Sequence, residues 1–233
     1  MRLDKFIAES SGLTRSQSAK VIRQGLVCCN GEVVKNGAAK ISPQDQVYFE
    51  DRLLPWLEKG QYFMLHKPQG YICTNDEGEY PTVFQFFDYP LATKLHCAGR
   101  LDADTTGLVL LTDDGQWSHR ITAPKHHCEK TYLVGLEDPV EEHYVQACEQ
   151  GILLRGEKSP TQAAKLEILD DYNVNLTIRE GRYHQVKRMF AALGNKVIAL
   201  HRWRIGDLIL DEGLEEGEFR ALTADEINYF NRG

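Results

Sequence analysis

The chain is 233 residues long, 42% hydrophobic and 26% charged, an ordinary globular composition with enough length for one or two domains and a real core. No apolar stretch approaches the roughly 20 residues of a membrane-spanning helix, and the opening MRLDKFIAES is polar from its first turn. A cytoplasmic protein without a membrane span or signal peptide is therefore expected. The net charge of −7 would disfavour a polyanionic partner if it were evenly spread.

It is not evenly spread. Residues 1–40 hold seven basic side chains (Arg2, Lys5, Arg15, Lys20, Arg23, Lys35, Lys40) against three acids, and residues 179–204 hold another seven against Glu180 alone. Fields act over about a Debye length, so two basic segments inside an acidic chain point to local contact with a polyanion. The six cysteines include no C-x-x-C pair, which argues for free thiols. His96, His126, His127 and Cys128 match no ligand spacing, so no metal is expected.

In chain order, Leu3, Phe6 and Ile7 recur at helical spacing. Thr14 is placed to cap a second helix, RSQSAKVIR, with Ala19, Val21 and Ile22 inward and Arg15, Lys20 and Arg23 toward solvent. The Asn-Gly pair between LVCC and EVV marks a hairpin. This run, RLDKFIA followed by GLTRSQSAKVIRQGLVCCNGEVV, resembles the small αL-motif RNA-binding domain of a ribosomal protein and of several rRNA-modifying enzymes, and sets a first domain at residues 1–50.

Residues 51–61, with Pro55 and no clear period, are expected to be a linker. A second domain, 62–233, begins with a strand, a Pro-containing turn and a strand in YFMLHKPQGYICT. Further strands are predicted in GLVLLT, TYLVGL, AKLEIL and NVNLTI, and helices in DDGQWSHRIT, VEEHYVQACEQ, HQVKRMFAAL and TADEINYFN. Strands and helices do not alternate regularly, so the fold class is α+β, a mixed and mostly antiparallel sheet with flanking helices.

The stretch GRLDADTTGLVLLT carries the chemistry. A calcium loop would use Asp102, Asp104 and Gly107, but the bidentate glutamate that closes such a loop is replaced by Asp113. A phosphotransferase loop of Asp-x-Asp-x-Thr type needs an apolar strand leading into the first aspartate, and HCAGRL is not one. Instead AGRLDADTTGLVLLT, EKTYLV and EGRYHQVKRMFAALGNKVIALHR together resemble, in order and spacing, the three motifs of the RNA pseudouridine synthases. The likeness covers essentially the whole chain and implies the fold of that family, no cofactor and no metal.

The reaction such an enzyme performs breaks the glycosidic bond of a uridine, turns the base and rejoins it through carbon 5, with no redox change. A carboxylate in a dry pocket can be its nucleophile, and the resemblance makes it Asp102, with Asp104 a turn residue and Thr105 and Thr106 bracing the turn. Desolvation would protonate that carboxylate without an adjacent cation. In HQVKRMFAAL, Val186, Met189, Phe190 and Leu193 form an apolar face and His184, Lys187 and Arg188 project from the other side. Lys187 takes the family's cation position and is the expected partner of Asp102; pairing by Arg188, with Lys187 on phosphate, is the alternative.

Tyr132, on one strand face with Lys130 and Val134, is expected against the target base. Arg100 is expected to fill the space of the displaced nucleotide, whose unstacking costs a few kcal/mol. Arg2, Arg15, Lys20, Arg23, Lys130, Arg182, His184, Arg188 and Arg202 complete the expected RNA-binding set. The resemblance implies a monomer that modifies one uridine of 16S rRNA on a partly assembled small-subunit particle. The alternatives are a large-subunit rRNA target or a non-catalytic ribosome assembly factor.

Overall fold

The computed structural model describes residues 1–56, 60–75, 78–88 and 91–231. The chain divides into two compact units, Met1–Lys59 with Phe87–Leu95, and Gly60–Phe86 with His96–Gly233.

In the first unit α1 (Leu3–Ser11) buries Leu3, Phe6 and Ile7 and ends where Gly12 turns left-handed. Thr14 caps α2 (Arg15–Arg23), and Thr14 and Gln17 satisfy each other's backbone N–H. Next come β1 (Val27–Cys29), β2 (Glu32–Val33), β3 (Val47–Phe49) and β4 (Arg52–Leu53), in the sheet order β2-β1-β3-β4. Asn30 and Gly31, at φ 52° and 86°, form the expected hairpin turn. Leu3, Phe6, Ile7, Ile22, Val27, Ile41, Val47 and Leu54 make the core.

The stretch read as a linker from residue 51 is partly structured. Arg52 pairs with Phe49 in β4, Leu54 is in the core, and Trp56 lies 4.4 Å from the Phe6 ring and donates its indole N–H to the Asp45 carbonyl at 2.9 Å. Apolar side chains spaced two apart carry the unit past the residue-50 boundary expected from Pro55. Residues 57–59 of that linker lie outside the described residues.

The second unit runs β5 (Tyr62–Lys67), β6 (His96–Cys97), β7 (Thr106–Thr112), α3 (Gly115–Thr122), β8 (Lys130–Leu136), α4 (His143–Gln150), β9 (Lys165–Ile168), β10 (Asn173–Ile178), α5 (Gln185–Ala192), β11 (Val197–Ile205), β12 (Leu208–Ile209), β13 (Phe219–Ala221) and α6 (Ala224–Tyr229). The sheet path is β13-β5-β7-β11-β8-β10-β9, with β6 beside β7 and β12 beside β11. Every pairing is antiparallel except β7 with β11. This is the mixed α+β sheet expected.

Leu108 to Leu111 are fully buried, because β7 is covered on both faces and reads as a continuous apolar run. Asp114 caps α3 by accepting from the N–H groups of Gln116 and Trp117, and Trp117 and Ile121 join Leu108 and Leu110 in the core. Two expectations change. YICT holds only a bridge from Ile72 to Thr82 rather than a strand, and β11 is a full strand that the alternation hid, since register shifts at Val197/Ala199 and Arg202/Arg204 break the period of two.

Candidate active site

The turn Gly99–Thr105 enters β7 at the centre of the sheet. Asp102 accepts the Thr105 N–H at its own carbonyl at 3.1 Å, and the Ala103 carbonyl accepts the Gly70 N–H at 2.7 Å. Two buried cations hold the turn from below. The Lys67 ammonium, fully buried, donates to the carbonyls of Pro68 at 2.9 Å and Thr105 at 2.6 Å and reaches that of Ala103 at 3.4 Å. Arg202, 2% exposed, donates to Leu108 O at 2.9 Å, Gly99 O at 3.2 Å and Arg100 O at 3.5 Å.

Gly107, at φ 107°, makes this arrangement possible: a Cβ there would lie 2.2 Å from the Arg202 carbonyl oxygen, so only glycine lets β7 close on β11. Burial pushes the Lys67 ammonium below its ordinary value, against the raising influence of Cys73, Asp104 and Asp102.

Asp102 faces α5. Lys187 Nζ donates to Asp102 Oδ2 at 3.1 Å and to Asp104 Oδ1 at 2.6 Å, and His184 Nε2 lies 3.4 Å from Asp102 Oδ1. Burial alone would lower the lysine, but its hydrogen bonds to both carboxylates raise it above the ordinary value. Burial likewise pushes Asp104 up, and the Lys187 hydrogen bond and charge outweigh this and leave it below the usual range.

Asp102, His184 and Lys187 line a cleft of about 710 Å³ with Arg100, Tyr132, Ile178, Leu200, Cys73 and Cys97. Tyr132 is 8% exposed, and the Arg202 guanidinium lies 6.0 Å from its ring centre. A carboxylate with a fixed ammonium, an aromatic ring and apolar walls suits a flat, neutral base beside a reacting bond. The family model for RNA pseudouridylate synthase matches residues 61–192, which contain the turn, β8 and α5.

The chain belongs to the RNA pseudouridylate synthase family.

Residues 1–47 match the S4 domain. A relative from Haemophilus influenzae, "Ribosomal small subunit pseudouridine synthase A", is 76% identical over 97% of this chain and 98% of its own length. One of the same name from Pasteurella multocida is 70% identical over the full length of both. A crystal structure titled as a pseudouridylate synthase, 74% identical, covers 99% of both chains with a TM-score of 0.73.

Within this synthase the structure brings together Asp102, Tyr132, Lys187, His184 and Arg100, and Arg100 is exposed at the rim. Four of the cations expected on RNA are directed inward. Arg202 is buried under the turn and is not open to phosphate. Arg182 pairs with Glu180 and donates to the carbonyls of Ser159 and Pro160. Arg188 pairs with Glu157 and donates to the carbonyls of Tyr183 and Arg155, which also removes it as the partner of Asp102. Lys130 donates to the carbonyls of Ile121 and Cys128. In each case carbonyls or a carboxylate of the chain itself take the donors that solvent or phosphate would otherwise fill, from buried positions for Arg202 and from more exposed ones for Arg182 and Arg188.

In the first unit Arg2 pairs with Asp4 at 2.7 Å and Arg15 lies 3.7 Å from the same carboxylate, while Lys20 and Arg23 are exposed on α2. Thr106 braces its strand by a 2.9 Å contact with His201 Nδ1. The Thr105 hydroxyl does not brace the turn: it is buried without a hydrogen-bond partner among the described residues.

The sequence reading missed Lys67, Cys73 and Cys97. Lys67 had a signal, since it shares strand parity with the buried Phe63 and Leu65 and so had to enter the core. Cys73 accepts the Leu101 N–H at 3.4 Å; the Cys97 thiol beside it lowers Cys73 to about 7 against its burial, while Cys97 itself is raised. Nothing in their spacing announced the pair.

Proposed function

We propose that Asp102 is the nucleophile for one uridine of small-subunit (16S) rRNA, that Lys187 keeps it ionised, and that Tyr132 lies against the displaced base. The observation that carries this reading is the Lys187 ammonium, 3.1 Å from Asp102 and fixed in place by Asp104 at 2.6 Å. That cation offsets the desolvation that would otherwise protonate the nucleophile as the cleft closes on RNA.

The reaction conserves atoms and electrons: the N1–C1′ bond breaks, a C5–C1′ bond forms, C5 gives up a proton and N1 ends protonated. Asp102 provides the temporary covalent partner, whether at the ribose or the ring. The Tyr132 hydroxyl is placed to assist removal of the C5 proton. Arg100, exposed at the rim, fills the space the nucleotide leaves, and His184 steadies the second oxygen of Asp102.

The small-subunit target is supported by the names of the similar proteins and RNA binding by the S4 domain; we further propose a monomer that acts on a partly assembled particle in the cytoplasm. We assign residues 1–56 as the RNA-binding domain, with its boundary supported by the β4 pairing and the Leu54 burial, and the unit of 60–86 and 96–233 as the catalytic domain.

The test is tritium release from rRNA labelled at carbon 5 of uridine, with EDTA present, on 16S and 23S RNA, each naked and as ribonucleoprotein. Release from small-subunit particles by the wild type, and a loss of at least about 10³-fold with Asp102→Asn, is the expected result. Release from 23S RNA alone would move the target to the large subunit. Undiminished release by Asp102→Asn would remove the nucleophile assignment.

A further inference from the structure

Beside the nucleophile the cleft presents an aromatic ring that no step of this reaction uses. Tyr183 is 73% exposed, the most exposed large hydrophobic side chain among the described residues, and it lines the same cleft as the nucleophile, a position in which a tyrosine offers contact area to a partner. One face of its ring is already occupied: it stacks on the His184 imidazole with centroids 3.8 Å apart and planes 20° apart. With that face stacked and the residue 73% exposed, the opposite face is open, and Tyr183 lines the cleft that Asp102, Lys187 and Arg100 share.

The backbone that carries the ring is held by its surroundings, and the ring itself by its stack on His184. His184 occupies the left-handed region at φ 47°, an uncommon conformation for a residue other than glycine. The neighbours are identifiable. Arg188 donates to the Tyr183 carbonyl at 3.0 Å, the Arg182 N–H donates to Gln185 Oε1 at 2.8 Å, and Gln185, 4% exposed, is itself tied to Glu180 at 3.0 Å. A pinned aromatic loses little conformational entropy when something stacks on it.

Its position limits what that something is. His184 lies 3.4 Å from Asp102, so a base stacked on the outer face of Tyr183 sits two ring layers from the nucleophile, too far to be the reacting uracil and close enough to be joined to it by one phosphodiester. Flipping a uridine leaves its neighbour without a stacking partner, and a fixed aromatic plane restores that partner.

The geometry points to Tyr183 as a binding platform for the base of the nucleotide adjacent to the target uridine, with His184 as its backing ring. This rests on the uridine-isomerising reading of the cleft. Because every base has an aromatic face, the platform sets register more than sequence, with a preference for the larger purine surface.

The test is a cycle between enzyme and substrate. The modified uridine is first mapped on small-subunit particles treated with wild-type enzyme. Particles are then assembled with 16S RNA ligated to carry an abasic nucleotide on the 5′ or the 3′ side of that uridine. Single-turnover rates are measured against enzyme concentration for wild type, Tyr183→Phe and Tyr183→Ala.

On intact RNA, Tyr183→Ala is expected to raise the half-saturating concentration about tenfold, with Tyr183→Phe within about twofold of wild type. On one of the two abasic RNAs, wild type and Tyr183→Ala are expected to coincide. An equal loss for Tyr183→Ala on intact RNA and on both abasic RNAs would overturn the platform and leave Tyr183 touching a ribosomal protein or merely shaping His184. No effect on intact RNA overturns it outright. Absence of wild-type turnover on every particle would instead sink the reading of the cleft as a uridine site, a result separable from both.

Discussion

Residues 1–40 and 179–204 each contribute seven lysines and arginines, and the fold uses the two sets in opposite ways. Every cation of the second set has a partner inside its own unit. Arg179 and Arg204 meet Glu129, Arg182 meets Glu180, Lys187 meets Asp102 and Asp104, Arg188 meets Glu157, Lys196 meets Glu137, and Arg202 meets buried carbonyls. In the first set Arg2, Lys5 and Arg15 pair with Asp4 or Glu9, while Lys20, Arg23, Lys35 and Lys40 are exposed and make no ion pair among the described residues. Equal numbers of basic residues in the sequence therefore mean a scaffold for the site in one segment and exposed cations without an ion pair among the described residues in the other.

Four measurements break or sharpen this contrast. The largest effect is expected from Arg202→Met, which orphans the carbonyls of Gly99, Arg100 and Leu108. It should lower stability by about 3 to 5 kcal/mol in urea unfolding and leave the salt dependence of RNA binding unchanged. A weaker salt dependence with unchanged stability would mean that Arg202 is a phosphate ligand after all.

Lys67→Met removes the other buried support of the turn and should cost about 2 to 4 kcal/mol. The sign of its pH dependence is fixed by the lowered lysine. Between the folded value and the ordinary 10.5 the unfolded chain binds the extra proton, so this group makes stability rise with pH in that window. The wild-type advantage over Lys67→Met should grow as pH approaches the ordinary lysine value, and a shrinking advantage would contradict the burial of the charge.

Lys187→Met is expected to lower the single-turnover rate about 10²-fold while changing RNA affinity by less than about threefold. The raised lysine loses its contribution only as pH climbs through a value above 10.5, and the lowered Asp104 loses its own only as pH falls through a value below 3.8. The ratio of wild type to variant should therefore be constant from about pH 6 to 9. A ratio that collapses toward pH 9 would show Lys187 deprotonating and undo the ion pair.

The smallest effect belongs to the exposed pair on α2. Lys20→Ala with Arg23→Ala should reduce the slope of log affinity against log salt by about 1.5, with unfolding free energy within about 0.5 kcal/mol of wild type. An unchanged slope would show that the first unit does not provide the free cations.

Much of this was readable before any coordinates. The helix cap at Thr14, the Asn30-Gly31 hairpin and the apolar run of β7 are local features, set by side chains within a few residues of each other. The pairing of Lys187 with Asp102 was readable because three motifs in one order fixed the family. The strand β11 was hidden by its two register shifts, and the end of the first unit by a proline that Leu54 and Trp56 override through contacts with α1 and the Asp45 loop.

By itself, then, the sequence determined the α+β class, the two-unit order, the family and the pairing of Asp102 with Lys187. Only the tertiary structure decided which arginines and lysines have acceptors within the chain and which are exposed without an ion pair among the described residues. A guanidinium or ammonium is drawn to whichever acceptor is nearest in space, and those acceptors, such as Gly99 and Leu108 for Arg202 or Glu157 for Arg188, lie 31 to 103 positions away along the chain. A cation already hydrogen-bonded to such carbonyls and carboxylates is less available to a phosphate, most of all where water cannot reach the acceptor, as for Arg202 and Leu108.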